Sequence, residues 1–386
     1  MRILTINFRG ANDIFIEIFS MSYTERKKLF AEVERLRERP LITYVTSLRP
    51  GMNVQMAGDA IRPFIDQIEA ISKDYKTIDV LIISNGGDPI TSLRIMGLLR
   101  ERFDHVAVLL PYVAYSAATI LSLGADEIVM HQYSNLGPVD PQMTVSHRDA
   151  SGKTENLQFG AEDIVNFIDF IKTDVGVSDQ QHLMSATQPL INQVGALSIG
   201  SAKRSQRLSL ALSEKMLSSH ISDPGKVSTI AKALNSSYYH HGYAVGRKEA
   251  VEIGLPIVNP SEELERLLWN IWTDYEKEMK CDNEFNVIRE IMSDPKLSSI
   301  INRIPTLNIP ANLPEPQKQA IFNNAASQVA VTQRQAININ NLVASIESSK
   351  EAKAVYVEMI IQYWRDPSMN ISFNITQSGT SWVNYK

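Results

Sequence analysis

A serine and a pair of glycines, each following a strongly apolar run, are the residues of this chain best suited to covalent chemistry. Gly86 and Gly87 follow IDVLIIS at 78–84, and Ser116 follows HVAVLLP at 105–111 within PYVAYSAAT. Glycines at a strand end let a substrate oxygen approach backbone N–H groups with no side chain in the way. A serine on the first turn of the next helix places its hydroxyl near the positive end of the helix dipole. Together the two motifs outline a nucleophile beside an oxyanion hole. Taken singly, each has a plainer meaning: a capping serine, and a tight strand-to-helix turn.

The elements that must position these residues alternate. The pattern predicts a strand at 78–84, a helix at 89–102, a strand at 105–111, a helix at 116–123 and a third strand at 126–132. Strands separated by single helices imply parallel pairing with right-handed crossovers, which gathers active groups at the carboxyl ends of the strands. Upstream, the spacing predicts a helix at 22–39 stopped by Pro40, a strand at 41–47 and an amphipathic helix at 57–73. Downstream, helices are predicted at 162–175, 201–220 and 226–235. Beyond about residue 262 the chain is rich in Asn, Gln and Ser, with Pro305, Pro310, Pro314 and Pro316 marking a connector. There we expect a helical appendage that ends in a strand at 370–376.

Composition narrows the function. The 386 residues carry a net charge of −5 and no basic run, which gives no reason to expect nucleic acid as a partner. No stretch approaches the roughly 18 apolar residues of a membrane helix, so a cytoplasmic protein is expected. The lone cysteine, Cys281, cannot form an internal disulfide or a cysteine metal cluster. HExxH, GxGxxG and GxxxxGK[ST] motifs are absent, so no metal or cofactor is expected, and any ATP-driven unfolding would come from a separate ATPase or regulatory partner.

PYVAYSAATILSLGADEIVM, LGPVDPQ at 136–142 and HHGYAVGRKEAVEIGLPIV at 240–258 together resemble the serine dehydrogenase proteinase family, a branch of the ClpP and signal peptide peptidase superfamily of serine proteases. The resemblance implies an α/β fold of the ClpP/crotonase type, a β-β-α superhelix of mostly parallel strands, across residues 41–264. Residues 1–40 are then an N-terminal extension and 265–386 a mainly helical C-terminal region. It implies a serine peptidase acting on peptides or proteins, and a homo-oligomer. Carried over residue by residue, Ser116 is the nucleophile, Gly86, Gly87 and Ala117 supply the oxyanion hole, and Asp140 and His241 complete a triad. His240 is a substitute for His241. Lys203 is an alternative base, as in a Ser-Lys dyad, provided that burial lowers its pKa. His131 reads as structural. The rival readings are an inactive scaffold of the same fold and a crotonase-like acyl-CoA enzyme.

Overall fold

In the computed structural model, residues 11–148, 154–236, 238, 242–293, 309–328, 335–365, 371–378 and 380–385 are described. The strands at the centre are apolar at nearly every position, as strands covered on both faces must be. After helix α1 (Ala11–Arg37) come β1 (Leu41–Thr46), α2 (Ile61–Glu69), β2 (Thr77–Ile83), α3 (Pro89–Arg102) and β3 (His105–Leu110). The short β4 (Val113–Ala114), α4 (Ala117–Ser122), β5 (Glu127–Met130) and short β6 (Asn135–Leu136) follow. The order β10-β5-β3-β2-β1, with β10 at Ile257–Val258, is parallel throughout.

Alternation along each strand sorts side chains into two layers. Ile42, Tyr44, Val80, Ile82 and Val108 face the helices α2, α3 and α4, packing with Phe64, Ile95, Leu99 and Ile120. Leu41, Val45, Leu81, Ile83 and Leu109 face the other way, onto Phe30 and Val33 of α1 and onto Leu268, Ile271 and Tyr275 of α10 (Glu262–Glu278). The first layer also receives Leu212 and Met216 of α7 (Ala196–Leu217) and Ile230 of α8 (Pro224–Ser236). Between the sheet and α7 the chain forms a hairpin, β7 (Gln142–Arg148) with β8 (Thr154–Gly160), then α5 (Ala161–Thr173) and α6 (Gln180–Val194).

Two expectations are corrected. The C-terminal region is not a helical appendage, because β11 (Gln335–Ser348) pairs antiparallel with β1 and carries β12 (Ala352–Arg365), β13 (Ile371–Gln377) and β14 (Trp382–Tyr385) onto the same sheet. Helices in this region are confined to α10, Val287–Ser293 and Glu315–Gln328 among the described residues. The expected strand near the end is present as β13. The described part of the N-terminal segment, residues 11–40, is likewise more than an extension, since Phe30 and Val33 of α1 pack onto the sheet.

A buried ion cluster fastens these late and early segments. The Arg26 guanidinium, fully buried, donates to Glu347 of β11 through both Nε and Nη2 (2.9 and 2.8 Å) and to Asp274 and Glu278 of α10 (2.5 and 2.6 Å). It also lies 4.1 Å over the Tyr275 ring. Removing one partner of such a buried pair leaves an uncompensated charge, which costs about 3–5 kcal/mol. Arg26→Ala is therefore expected to lower the stability in urea by that amount. The triple variant Arg26→Met with Glu347→Gln and Glu278→Gln, which leaves neither buried carboxylate without a counter-charge, should recover most of it, and equal loss in both would show that the charge is not the cause.

Candidate active site

Strand β2 ends at Ile83, and the backbone from Ser84 to Asp88 is threaded between two other segments. The Ser84 N–H donates to the Val113 carbonyl (3.0 Å) and the Tyr115 N–H returns to the Ser84 carbonyl (2.9 Å). On the opposite side, the Met56 N–H donates to the Gly86 carbonyl and the Asp88 N–H to the Met56 carbonyl, both at 2.8 Å. Gly86 (φ +97°) and Gly87 (φ +150°) have the positive φ that glycine tolerates. A methyl group on Gly86 would stand 2.5 Å from the Tyr115 carbonyl oxygen, 2.8 Å from Ser116 Cβ and 2.9 Å from the Ala117 nitrogen. The two sequence motifs thus meet backbone to backbone.

Ser116 stands at the junction of this turn with α4, at φ 52° and ψ −116°. A positive φ in a residue with a Cβ costs roughly 1–3 kcal/mol and persists only where the surroundings impose it. Its hydroxyl makes no cap to the helix that follows, so the plain capping role is not the one it fills. The turn is held by others. Ser92 donates to the Ala117 carbonyl (2.6 Å), and the Thr119 hydroxyl bridges the carbonyls of Ala114 and Gly137 (2.7 and 2.8 Å). The Gly86 N–H is committed to the Ser84 hydroxyl (3.0 Å). Among the described residues, the N–H groups of Gly87 and Ala117 have no acceptor.

The loop bearing Asp140 is tied to the same turn. A three-stranded sheet, β4-β6-β9 with β9 at Val245–Gly246, sets Ala114 beside Leu136 and Leu136 beside Val245. Gly137 presses on the Tyr115 ring, where a Cβ would come within 2.5 Å of Cδ1. Val139 donates to the Leu234 carbonyl (2.9 Å) and accepts from the Ser209 hydroxyl (2.5 Å). Asp140 itself is buried and accepts from the Gln142 amide (2.8 Å). His240 and His241 lie outside the described residues. On either side of them Tyr238 and Tyr243 stack with ring centroids 4.4 Å apart, and Val245 begins the strand that joins the serine sheet.

Lys203 is placed differently from what a buried base requires. It lies on an exposed face of α7, and its Nζ donates to Gln206 (2.8 Å). His131 is buried at the end of β5, stacked on Trp269 at 5.0 Å, with Nδ1 accepting from the Tyr133 N–H; burial holds its pKa below the usual histidine value.

Beside the serine turn, a cleft of about 260 Å³ opens between the strand ends and α10. Its walls include Asn85 and Tyr115, the residues immediately before Gly86 and Ser116, together with Tyr112, Trp272, Glu276 and Cys281. Sequence reasoning missed this cleft. The aromatic pair Tyr112 and Tyr115 was visible in PYVAYS, but nothing local signals that α10 closes over it.

The strain at Ser116 and the crowding at Gly86 give opposite expectations for neighbouring positions. Gly86→Ala should fail to fold to a stable protein, whereas Gly97→Ala on α3, where a Cβ meets nothing within 4 Å, should be neutral or stabilising by about 0.5–1 kcal/mol. Ser116→Gly should be more stable than Ser116→Ala by about 1 kcal/mol because glycine relaxes the positive φ. Thermal melting of the four variants measures all of this, and a Ser116→Gly protein less stable than Ser116→Ala would remove the strain argument.

Known proteins resemble this chain in several ways. A family model described as ClpP-like SDH-type serine proteinase matches residues 25–296. An uncharacterized protein of Methanocaldococcus jannaschii is 25% identical over 253 residues, covering 63% of this chain and 77% of that protein. Among solved structures, the 1510-N membrane-bound stomatin-specific protease aligns at 15% identity over 59% of this chain and 84% of its own, with a TM-score of 0.33. A probable enoyl-CoA hydratase/isomerase from Mycobacterium abscessus aligns at 16% identity over 69% and 89%, with a TM-score of 0.29. The family match spans the glycine pair, the serine turn, the Asp140 loop and α10, and the chain belongs to the ClpP-like SDH-type serine proteinase family.

Proposed function

We propose that the protein is a serine peptidase in which Ser116 attacks a peptide carbonyl and the N–H groups of Gly87 and Ala117 bind the resulting oxyanion. The observation that carries this reading is the close backbone contact of Gly86 with residues 115–117. It brings an uncapped, strained serine beside two backbone donors that have no acceptor among the described residues. Preorganised donors of this kind are worth about 2.7–4 kcal/mol each in acyl transfer. Gly86 supports the geometry with its carbonyl and its lack of a Cβ, since its own N–H is already used.

The proton needs a base. We assign it to His241, with Asp140 orienting the imidazole, because β9 and β6 draw the segment after His241 and the loop of Asp140 to the serine sheet. Lys203, exposed on α7, lacks the burial that would leave a lysine as the neutral amine needed to activate serine near neutral pH. An acyl-CoA enzyme would use the same donors for an enolate, but it gives no reason to hold Ser116 at positive φ.

No helix among the described residues is long and apolar enough to cross a membrane. Self-association is part of the proposal, supported by Phe170, Met184 and Leu197 on α5, α6 and α7, which are 52%, 58% and 92% exposed. On α3, Ile90 is also exposed, whereas Ile95, Met96 and Leu99 are buried. Leu197→Glu should reduce the mass seen by light scattering at micromolar concentration, and a parent protein that is strictly monomeric would remove this part.

The catalytic reading is tested with a fluorophosphonate probe. Parent protein should label at Ser116 and Ser116→Ala should not, while His241→Ala should cut peptide turnover by about 10⁴-fold or more and Lys203→Ala should leave it near the parent value. Equal labelling of parent and Ser116→Ala would end the assignment of the nucleophile.

A further inference from the structure

We propose that the cleft beside Ser116 receives a cationic side chain, a lysine or an arginine, of the residue that precedes the scissile bond. This deepens the peptidase reading and rests on it for the position of the bond, though not for the chemistry of the cleft.

Position comes first. The cleft is walled by Asn85 and Tyr115, one residue ahead of Gly86 and of Ser116. A substrate whose carbonyl carbon meets Ser116 and whose oxygen meets the N–H groups of Gly87 and Ala117 therefore carries its nearest side chain within reach of this space. At about 260 Å³ it accommodates one long side chain and not a folded segment.

Chemistry then selects the side chain. Tyr112 stacks on Trp272 at 4.6 Å with an angle of 16° between the rings, and Tyr115 adds a third aromatic group. Aromatic faces attract lysine and arginine through the ring quadrupole, most strongly where water is excluded. Glu276 supplies the acid. Among the described residues no lysine, arginine or histidine pairs with it, although the nearby Lys280 is engaged by Glu290. Burial and the neighbouring Asp282 both push its carboxyl above the ordinary glutamate value. An acid in that condition is short of a counter-charge, and a guanidinium or ammonium entering the cleft provides one.

Cys281 lines the same cleft and is the single cysteine of the chain, so it reports on occupancy without ambiguity. The rate of Cys281 alkylation is to be measured on the full chain with millimolar N-acetyl-arginine amide or with its neutral isostere, N-acetyl-citrulline amide. The arginine compound should slow alkylation at least several-fold more than the citrulline compound, and Glu276→Gln should erase the difference. Equal protection by the two compounds on the parent protein overturns the proposal, whatever the variant does. In parallel, peptides with Arg or Leu before the scissile bond should differ in kcat/KM by about 10-fold or more in favour of Arg, a ratio that should collapse in Glu276→Gln. A parent protein that shows arginine-specific protection but never labels with fluorophosphonate keeps the cation site and loses the peptidase reading. One that labels at Ser116 but prefers Leu keeps the peptidase and loses the cation site.

Discussion

Everything at the candidate site follows from one steric fact: the backbone at Gly86 lies so close to residues 115–117 that no side chain fits between them. Two strand ends can meet this way only if the chain at one of them has no Cβ. The contact is locked from behind by Met56, which exchanges hydrogen bonds with Gly86 and Asp88, and from within by Ser84, which accepts from both Thr46 and Gly86. With the backbones fixed, Ser116 has no freedom to relax to a negative φ. The donors and the hydroxyl are therefore set by the scaffold and not by the side chains of the site.

Polar groups elsewhere do the same kind of fastening at longer range. Thr119 joins the serine turn to Gly137, and Ser209 on α7 holds Val139 just ahead of Asp140. Arg26 ties α1, α10 and β11 at one buried point. Each satisfies backbone or carboxylate oxygens that would otherwise be buried without a partner, a situation that costs more than the net gain from an ordinary hydrogen bond. The wall that α10 gives to the aromatic cleft thus depends on an arginine far from it in sequence.

How much of this was legible depended on how local each signal was. The alternation of β2, α3, β3, α4 and β5 could be read because each strand is a short, wholly apolar run followed by a helical spacing. Ser116 and the glycine pair could be found because the turn chemistry sits in adjacent residues. Strands β11 and β12 were not expected, for Asn, Gln and Ser drew attention away from the period-two alternation in QAININN, where Ile337 and Ile339 of β11 pack, partly buried, against the apolar cluster that β11 and β12 share. The burial of Glu347 and the closing of α10 over Tyr112 involve partners far apart in the chain, and no local pattern announces them. The strain at Ser116 was equally invisible, since it comes from the backbone that meets it.

The pairing of β1 with β11 has a consequence for synthesis. Thr43 of β1 bonds to Glu347, 304 positions later, so one edge of the parallel core has no partner while the intervening residues are being made. On the ribosome, β1 through β5 can assemble early from neighbours in sequence. The unpaired edge of β1 would then be an open row of N–H and C=O groups, of the sort that recruits strands from other chains. Protection of that edge during translation is a demand placed on the cell, and chaperone dependence should rest on the rate at which the last third of the chain arrives.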